Sequence, residues 1–142
     1  MIPDQTVDVN GCVFTHQDIL AVVDAFYRRV ETDALLKVPF GSVEDWPEHI
    51  AKLTHFWWTR FGGKSYMDVE YSPPLKHYRA GFNREFLSRW LSLFHQTLQE
   101  KLTPDQAKMW KTIADRMGEG LSLKNDMMIE RFGPLRDTSI PI

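Results

Sequence analysis

Apolar residues recur at three- and four-residue intervals in four separate stretches of this chain, with proline or glycine between them. The first stretch carries Ile19, Val22, Val23, Phe26, Tyr27 and Val30. The second sets His49, Leu53, Phe56, Trp57 and Arg60 on one line, a histidine followed by a leucine and two aromatics. The third runs through Phe86 or Leu87, then Trp90, Leu91, Phe94 and Leu98, and the fourth through Ala107, Trp110, Ile113, Ala114, Met117 and Leu121. Spacing of this kind puts each set on one face of a helix, and no stretch alternates well enough to argue for a strand. The expected fold class is therefore all-α.

Local signals mark where these helices start and stop. Thr15 with Asp18 reads as a cap for the first, and Ser42 and Asp45 with Pro47 as the start of the second. Asn83 can cap the third, while Thr103, Pro104 and Gln106 make the clearest start of all, a capping box with proline in the first turn. Gly62 and Gly63 end the second helix, and Lys64 to Ser72 reads as a loop. Gly118 and Gly120 weaken the end of the fourth. Residues 1–14, with Pro3, Asn10 and Gly11, read as an extended N-terminal arm, and residues 125–142 as a C-terminal tail. The length, 142 residues, suits one domain spanning 1–142.

Composition narrows the partners. Lysine plus arginine (17) nearly balance aspartate plus glutamate (19), and there is no basic run, which argues against nucleic acid or an anionic membrane. The longest aliphatic run, Ile19 to Val23, is too short to span a bilayer. Asp4 and Asp8 with no early lysine or arginine speak against a secretory signal. Cys12 is the single cysteine, so an intrachain disulfide, a CxxCH attachment and a cysteine-based zinc site are all excluded, and a cytoplasmic location fits best. P-loop, GxGxxG, GxSxG and HExxH signatures are absent. Aromatics make up 13% of the chain and crowd between Phe26 and Phe94, which suits a rich core or the lining of a large flat ligand.

Several side chains admit two readings. Tyr27 lies on its helix's apolar face, as a core tyrosine bonded to a carbonyl or as a hydroxyl aimed into a cavity. Trp90 sits mid-face in the third helix, as core filler or as an indole N–H that finds its acceptor on a ligand. His49 stands at the start of its face, as a capping histidine or at a pocket mouth; His55 and His95 fall off their faces and read as exposed. His77 lies between Pro73-Pro74 and Gly81, on a helix of one or two turns that would not form unaided. A surface histidine and a metal–imidazole bond both remain open for it.

Four segments together resemble a known family. AFYRRVETDALLKVPF (25–40), EDWPEHIAKLTHFWW (44–58), PLKHYRAGF (74–82) and FLSRWLSLF (86–94) are similar in order and spacing to the truncated haemoglobins, group III more than groups I or II. The resemblance runs from about Ile19 to Leu121. It implies a truncated globin fold, a two-over-two helical sandwich around haem b with a short proximal helix. It makes His77 the proximal ligand to iron, Tyr27 and Trp90 the distal donors to a bound gas, and His49 the residue at the pocket mouth. Those three distal residues are the candidates for catalysis. Phe40 matches the phenylalanine on the haem face, and Leu53, Phe56, Trp57 and Phe94 positions lining the haem cavity. Lys37-Val38-Pro39 departs from the Gly-Pro-Ile-type turn common in the family, and Tyr71 to Pro74 lacks the glycine often found there.

On this resemblance the small ligands are O2, NO, CO or peroxide. Two donors in an apolar pocket hold O2 too tightly for a carrier, and suit oxidation of NO to nitrate, peroxide activation or gas sensing. Nothing in the chain marks a flavin domain, so an NO dioxygenase or peroxidase-like activity implies an external reductase. A monomer or weak dimer is expected. The competing reading is a haem-free helical scaffold or signalling module.

Overall fold

The computed structural model describes residues 5–41, 43–68 and 83–133. His77 with its flanking Pro73, Pro74 and Gly81, the capping candidate Ser42, and the tail from Pro134 onward lie outside the described residues. Among the described residues two strands precede four helices: β1 (Thr6–Val9), β2 (Cys12–Thr15), α1 (His16–Thr32), α2 (Trp46–Arg60), α3 (Arg84–Lys101) and α4 (Pro104–Phe132). α1 packs against both α2 and α3, and α3 against α4. The all-α expectation is met in the body of the molecule.

The N-terminal arm is where expectation and structure part. Residues 6–15 form an antiparallel hairpin, pairing Thr6 with Thr15 and Val9 with Cys12. Asn10 and Gly11 turn it with φ of 51° and 88°, the left-handed pair that a two-residue turn matched to strand twist requires. Asp8 Oδ1 accepts the Gly11 N–H at 2.8 Å and braces the turn. Val7 and Phe14 face each other across the ladder and are both buried. Gln106 Nε2 donates to the Val13 carbonyl at 2.8 Å, and the Cys12 thiol to that of Asp105 at 3.7 Å, so the hairpin is fastened to the start of α4.

The helix starts follow the caps. Thr15 and Asp18 form a full capping box, as do Thr103 and Gln106; Asp45 accepts the Glu48 N–H at 3.0 Å and Asn83 the Phe86 N–H at 3.0 Å. At the end of α2, the Gly63 N–H closes on the Trp58 carbonyl at 2.9 Å and the Trp58 indole donates to the Lys64 carbonyl at 3.0 Å. The chain lies so close over the indole that a Cβ on Gly63 would stand 2.3 Å from the ring.

α4 corrects a second expectation. It does not weaken at Gly118 and Gly120 but runs on to Phe132, so Asn125 to Phe132 is helix rather than tail, and Gly133 ends it with φ of 81°. Packing outweighs the roughly 1 kcal/mol that each interior glycine costs: Gly118 is buried against Leu87 and Leu91 of α3, and Arg84 bridges to Asp126 at 2.6 Å. Two histidines also differ from expectation. His55 is buried, because α2 is covered on both flanks, and His95 is half-buried with Nε2 2.8 Å from Asp115 Oδ1.

Candidate functional site

The four described helices all contribute to one small, narrow apolar cleft. α1 gives Tyr27; α2 gives Leu53, Phe56 and Trp57; α3 gives Leu87 and Trp90; α4 closes the far wall with Ala114, Met117, Gly118 and Leu121. The cleft walls are aromatic and aliphatic; Trp57 apart, the lining side chains that carry a polar handle are those of Tyr27 and Trp90.

Phe26 holds these two handles in relation to one another. Its ring meets Tyr27 at 4.8 Å and Trp90 at 4.9 Å, edge-on in both cases, and is itself fully buried. Behind Trp90, Phe94 stacks at 4.9 Å with a 19° tilt and continues onto Trp57 at 5.9 Å with an 18° tilt. Three near-parallel rings thus form a stiff backing to the cleft. Phe94 belongs to that backing and not to the lining.

His49 and Phe40 sit on the other side of Tyr27. The His49 ring lies 5.2 Å from Tyr27 and 6.2 Å from Phe40, and both are buried. Trp46 completes this group, 5.6 Å from His49 and 6.4 Å from Phe40. Sequence reasoning left Trp46 out of the site, although its place three residues before His49 on the same helix was the available signal. It also assigned Met117, Leu121 and Ala114 to plain core, whereas they form a wall of the cleft. The corner carrying Phe40 is secured by Asp33, whose Oδ2 accepts the N–H groups of Leu35 and Leu36 at 3.2 and 3.0 Å. Hydrogen bonding from Arg89 holds the Asp33 carboxyl below its ordinary pKa.

A second polar group lies on the opposite flank of α2. His16 and His55, both buried, meet Tyr66 from two sides: His16 Nε2 is 2.6 Å from the phenol oxygen, and His55 Nε2 accepts the Tyr66 backbone N–H at 3.3 Å and lies 3.1 Å from Ser65 Oγ. Burial pushes the pKa of both histidines down, with His55 adding to the effect on His16, and burial pushes the Tyr66 phenol up.

Four described helices around an apolar cleft lined by Tyr27, Trp57 and Trp90 define a small helical protein suited to an apolar ligand. The model of the bacterial-like globin family matches residues 12–119. Group 3 truncated hemoglobin ctb of Campylobacter jejuni subsp. jejuni, serotype O:2, is 32% identical over 88 residues, covering 58% of this chain and 68% of that protein. The crystal structure of group III truncated hemoglobin from Campylobacter jejuni superposes with a TM-score of 0.69 at 22% identity, covering 94% of this chain and 99% of that one. The chain belongs to the bacterial-like globin family, and its fold is the truncated globin fold.

Membership in a globin family carries haem-based gas binding. The residues present fit a haem. The cleft walls are apolar, and at Gly118 a bare stretch of helix backbone lines them, where an added Cβ would meet Leu87 and Leu91 at 3.4 and 3.5 Å. Among the described residues no helix is long and apolar enough to cross a membrane.

Proposed function

We propose that this chain binds haem b through His77 and uses Tyr27 and Trp90 to hold a diatomic ligand on the distal side. Haem would supply an iron with one axial position open to O2, NO or CO. The remaining work belongs to the chain. Leu53, Phe56 and Trp57 exclude water from one wall, while Phe40 and Phe94 back the aromatic residues that flank the ligand. His49, with Trp46 beside it, stands behind Tyr27 and adjusts where its hydroxyl points. The observation that carries this reading is the convergence of Tyr27 and Trp90 on one cleft with Phe26 as their common spacer.

A bound O2 gains negative charge, which an O–H and an N–H donor stabilise in a water-poor pocket. That favours redox chemistry on the ligand, with NO or a peroxide as co-substrate and an external reductase as electron source, over bulk transport. We assign the whole chain to one truncated-globin unit acting in the cytoplasm. Family membership favours haem over the scaffold reading. The test is the absorption spectrum of the purified protein: a Soret band is expected, and it is expected to disappear in His77→Ala. A His77→Ala protein with unchanged haem content and ligand spectra would remove His77 as the iron's anchor.

A further inference from the structure

We propose that Tyr66, with His16 as its proton acceptor, is a one-electron oxidation site that refills the haem cleft after it has reduced a hydroperoxide. This rests on the haem reading above. The Tyr66 phenol lies 2.6 Å from His16 Nε2, a short contact between an oxidisable group and a base. Oxidising a phenol at neutral pH is easiest when the proton leaves with the electron, and the base must already be in hydrogen-bond reach. Here both partners are preset. Tyr66 is gripped from its other side by His55, whose ring packs at 4.8 Å and whose Nε2 takes the Tyr66 backbone N–H. Burial lowers the imidazole pKa and raises that of the phenol, and in the Nδ1–H tautomer of His16 the phenol O–H donates to Nε2.

The pair is connected to the cleft. Trp57 lines it, Trp58 follows by one peptide bond, and the Trp58 ring lies 5.5 Å from His16, which in turn lies 5.4 Å from the Tyr66 ring. Tyr66 is half-buried, so an electron vacancy that reaches it is brought from the core to the surface.

The balance is as follows. Reducing a hydroperoxide to an alcohol and water takes two electrons and two protons, and leaves the cleft two electrons short. Tyr66 returns one electron through Trp58, its proton moves to His16 Nε2, and a neutral phenoxyl radical faces an imidazolium. A one-electron donor of the ascorbate or phenol class reduces the radical, and His16 gives the proton back. A second pass restores the second electron.

The test uses the haem-loaded protein mixed with hydrogen peroxide and freeze-quenched for electron paramagnetic resonance. A tyrosyl signal is expected in the wild type and its loss in Tyr66→Phe, with the Soret band unchanged and steady-state peroxide consumption in the presence of ascorbate slowed. In His16→Gln the same radical is expected in lower yield, with the signature of a lost hydrogen bond. A Tyr66→Phe protein that still consumes peroxide and shows the wild-type radical overturns the proposal. Absence of a Soret band defeats the haem reading instead. In that event photo-oxidation of the purified chain by a soluble ruthenium trisbipyridyl sensitiser still decides the site. Tyr66 oxidation slowed by His16→Gln and by deuterated solvent supports the pair, and equal rates overturn it.

Discussion

Arg89 places Nε at 3.0 Å and Nη2 at 2.7 Å from a single oxygen of Asp33, Oδ1, while the other oxygen caps the Leu35 and Leu36 amides. One carboxylate therefore ties the corner bearing Phe40 to the helix position just before Trp90. The Asp33 side chain is only 8% exposed, so removing it strands two amides. Asp33→Ala is expected to cost about 1–2 kcal/mol, chiefly in lost capping bonds, measured by urea unfolding. The Asp33 pKa is lowered in the fold. Its contribution is thus fully present above the ordinary carboxylate pKa and lost as pH falls through the lower folded value. Equal stability of the variant and wild type at pH 6 would deny the corner its clasp.

The two buried histidines set a second pH dependence with its own window. Both have pKa values lowered from 6.5, so the unfolded chain takes up protons first. Stability is complete above the unfolded value and falls as pH drops from about 6.5 toward the folded values, by up to about 1.4 kcal/mol per pH unit for each histidine. Melting temperatures at pH 7.5 and 5.5 measure it. His55→Gln, which keeps an acceptor but does not titrate, should flatten the slope; an unaltered slope would place the acid sensitivity elsewhere.

The distal donors make a kinetic prediction. A hydrogen bond worth about 1 kcal/mol changes a dissociation rate about fivefold, so Tyr27→Phe and Trp90→Leu should each speed O2 release at least that much. Stopped-flow and laser-photolysis rates report it. Wild-type rates in both variants would end the donor assignment.

Two glycines predict opposite outcomes for the same substitution. Gly63→Ala drives a Cβ to within 2.3 Å of the Trp58 ring, which is itself buried and tethered. A loss of about 1–3 kcal/mol is expected. Gly118→Ala meets only leucine methyls at 3.4 and 3.5 Å and gains up to about 1 kcal/mol of helix propensity. Thermal melts of the haem-free chain should show the first destabilised and the second unharmed. Because Gly118 lines the cleft, its alanine variant should also lose haem faster to an apoglobin scavenger. Retention equal to wild type would mean the bare backbone serves no ligand.

The helices were legible because they advertise themselves locally. Thr15 with Asp18 and Thr103 with Gln106 are chemical signals within four residues, and the apolar faces repeat over several turns. What sequence reasoning missed depends on contacts between distant segments. Each hairpin strand contributes a single buried residue, Val7 or Phe14, too few to make a period, and only the Asn10-Gly11 turn signalled the pairing. His55 was placed in solvent by an argument that grants a helix one buried face; α2 has two, because residues 64–67 fold back over its second. The extension of α4 through its glycines reflects packing against Leu87 and Leu91. Of the cleft, Tyr27, Leu53, Phe56, Trp57 and Trp90 were named from sequence, while the α4 wall, like the place of Trp46 beside His49 and Phe40, required the packed chain.

The fastening of the hairpin to α4 also sets an order in time. Val13 and Gln106, joined by a hydrogen bond, are 93 residues apart along the chain. At roughly 5–20 residues per second on a ribosome, the hairpin waits about 5–20 s for its seat to be made. Phe14 meets Phe61, just past the end of α2, and Trp110 of α4, so its full burial likewise requires the last helix. The earliest described segment to be translated is thus among the last to dock. During that interval Phe14 is an exposed aromatic on a nascent chain, the kind of surface a chaperone would hold.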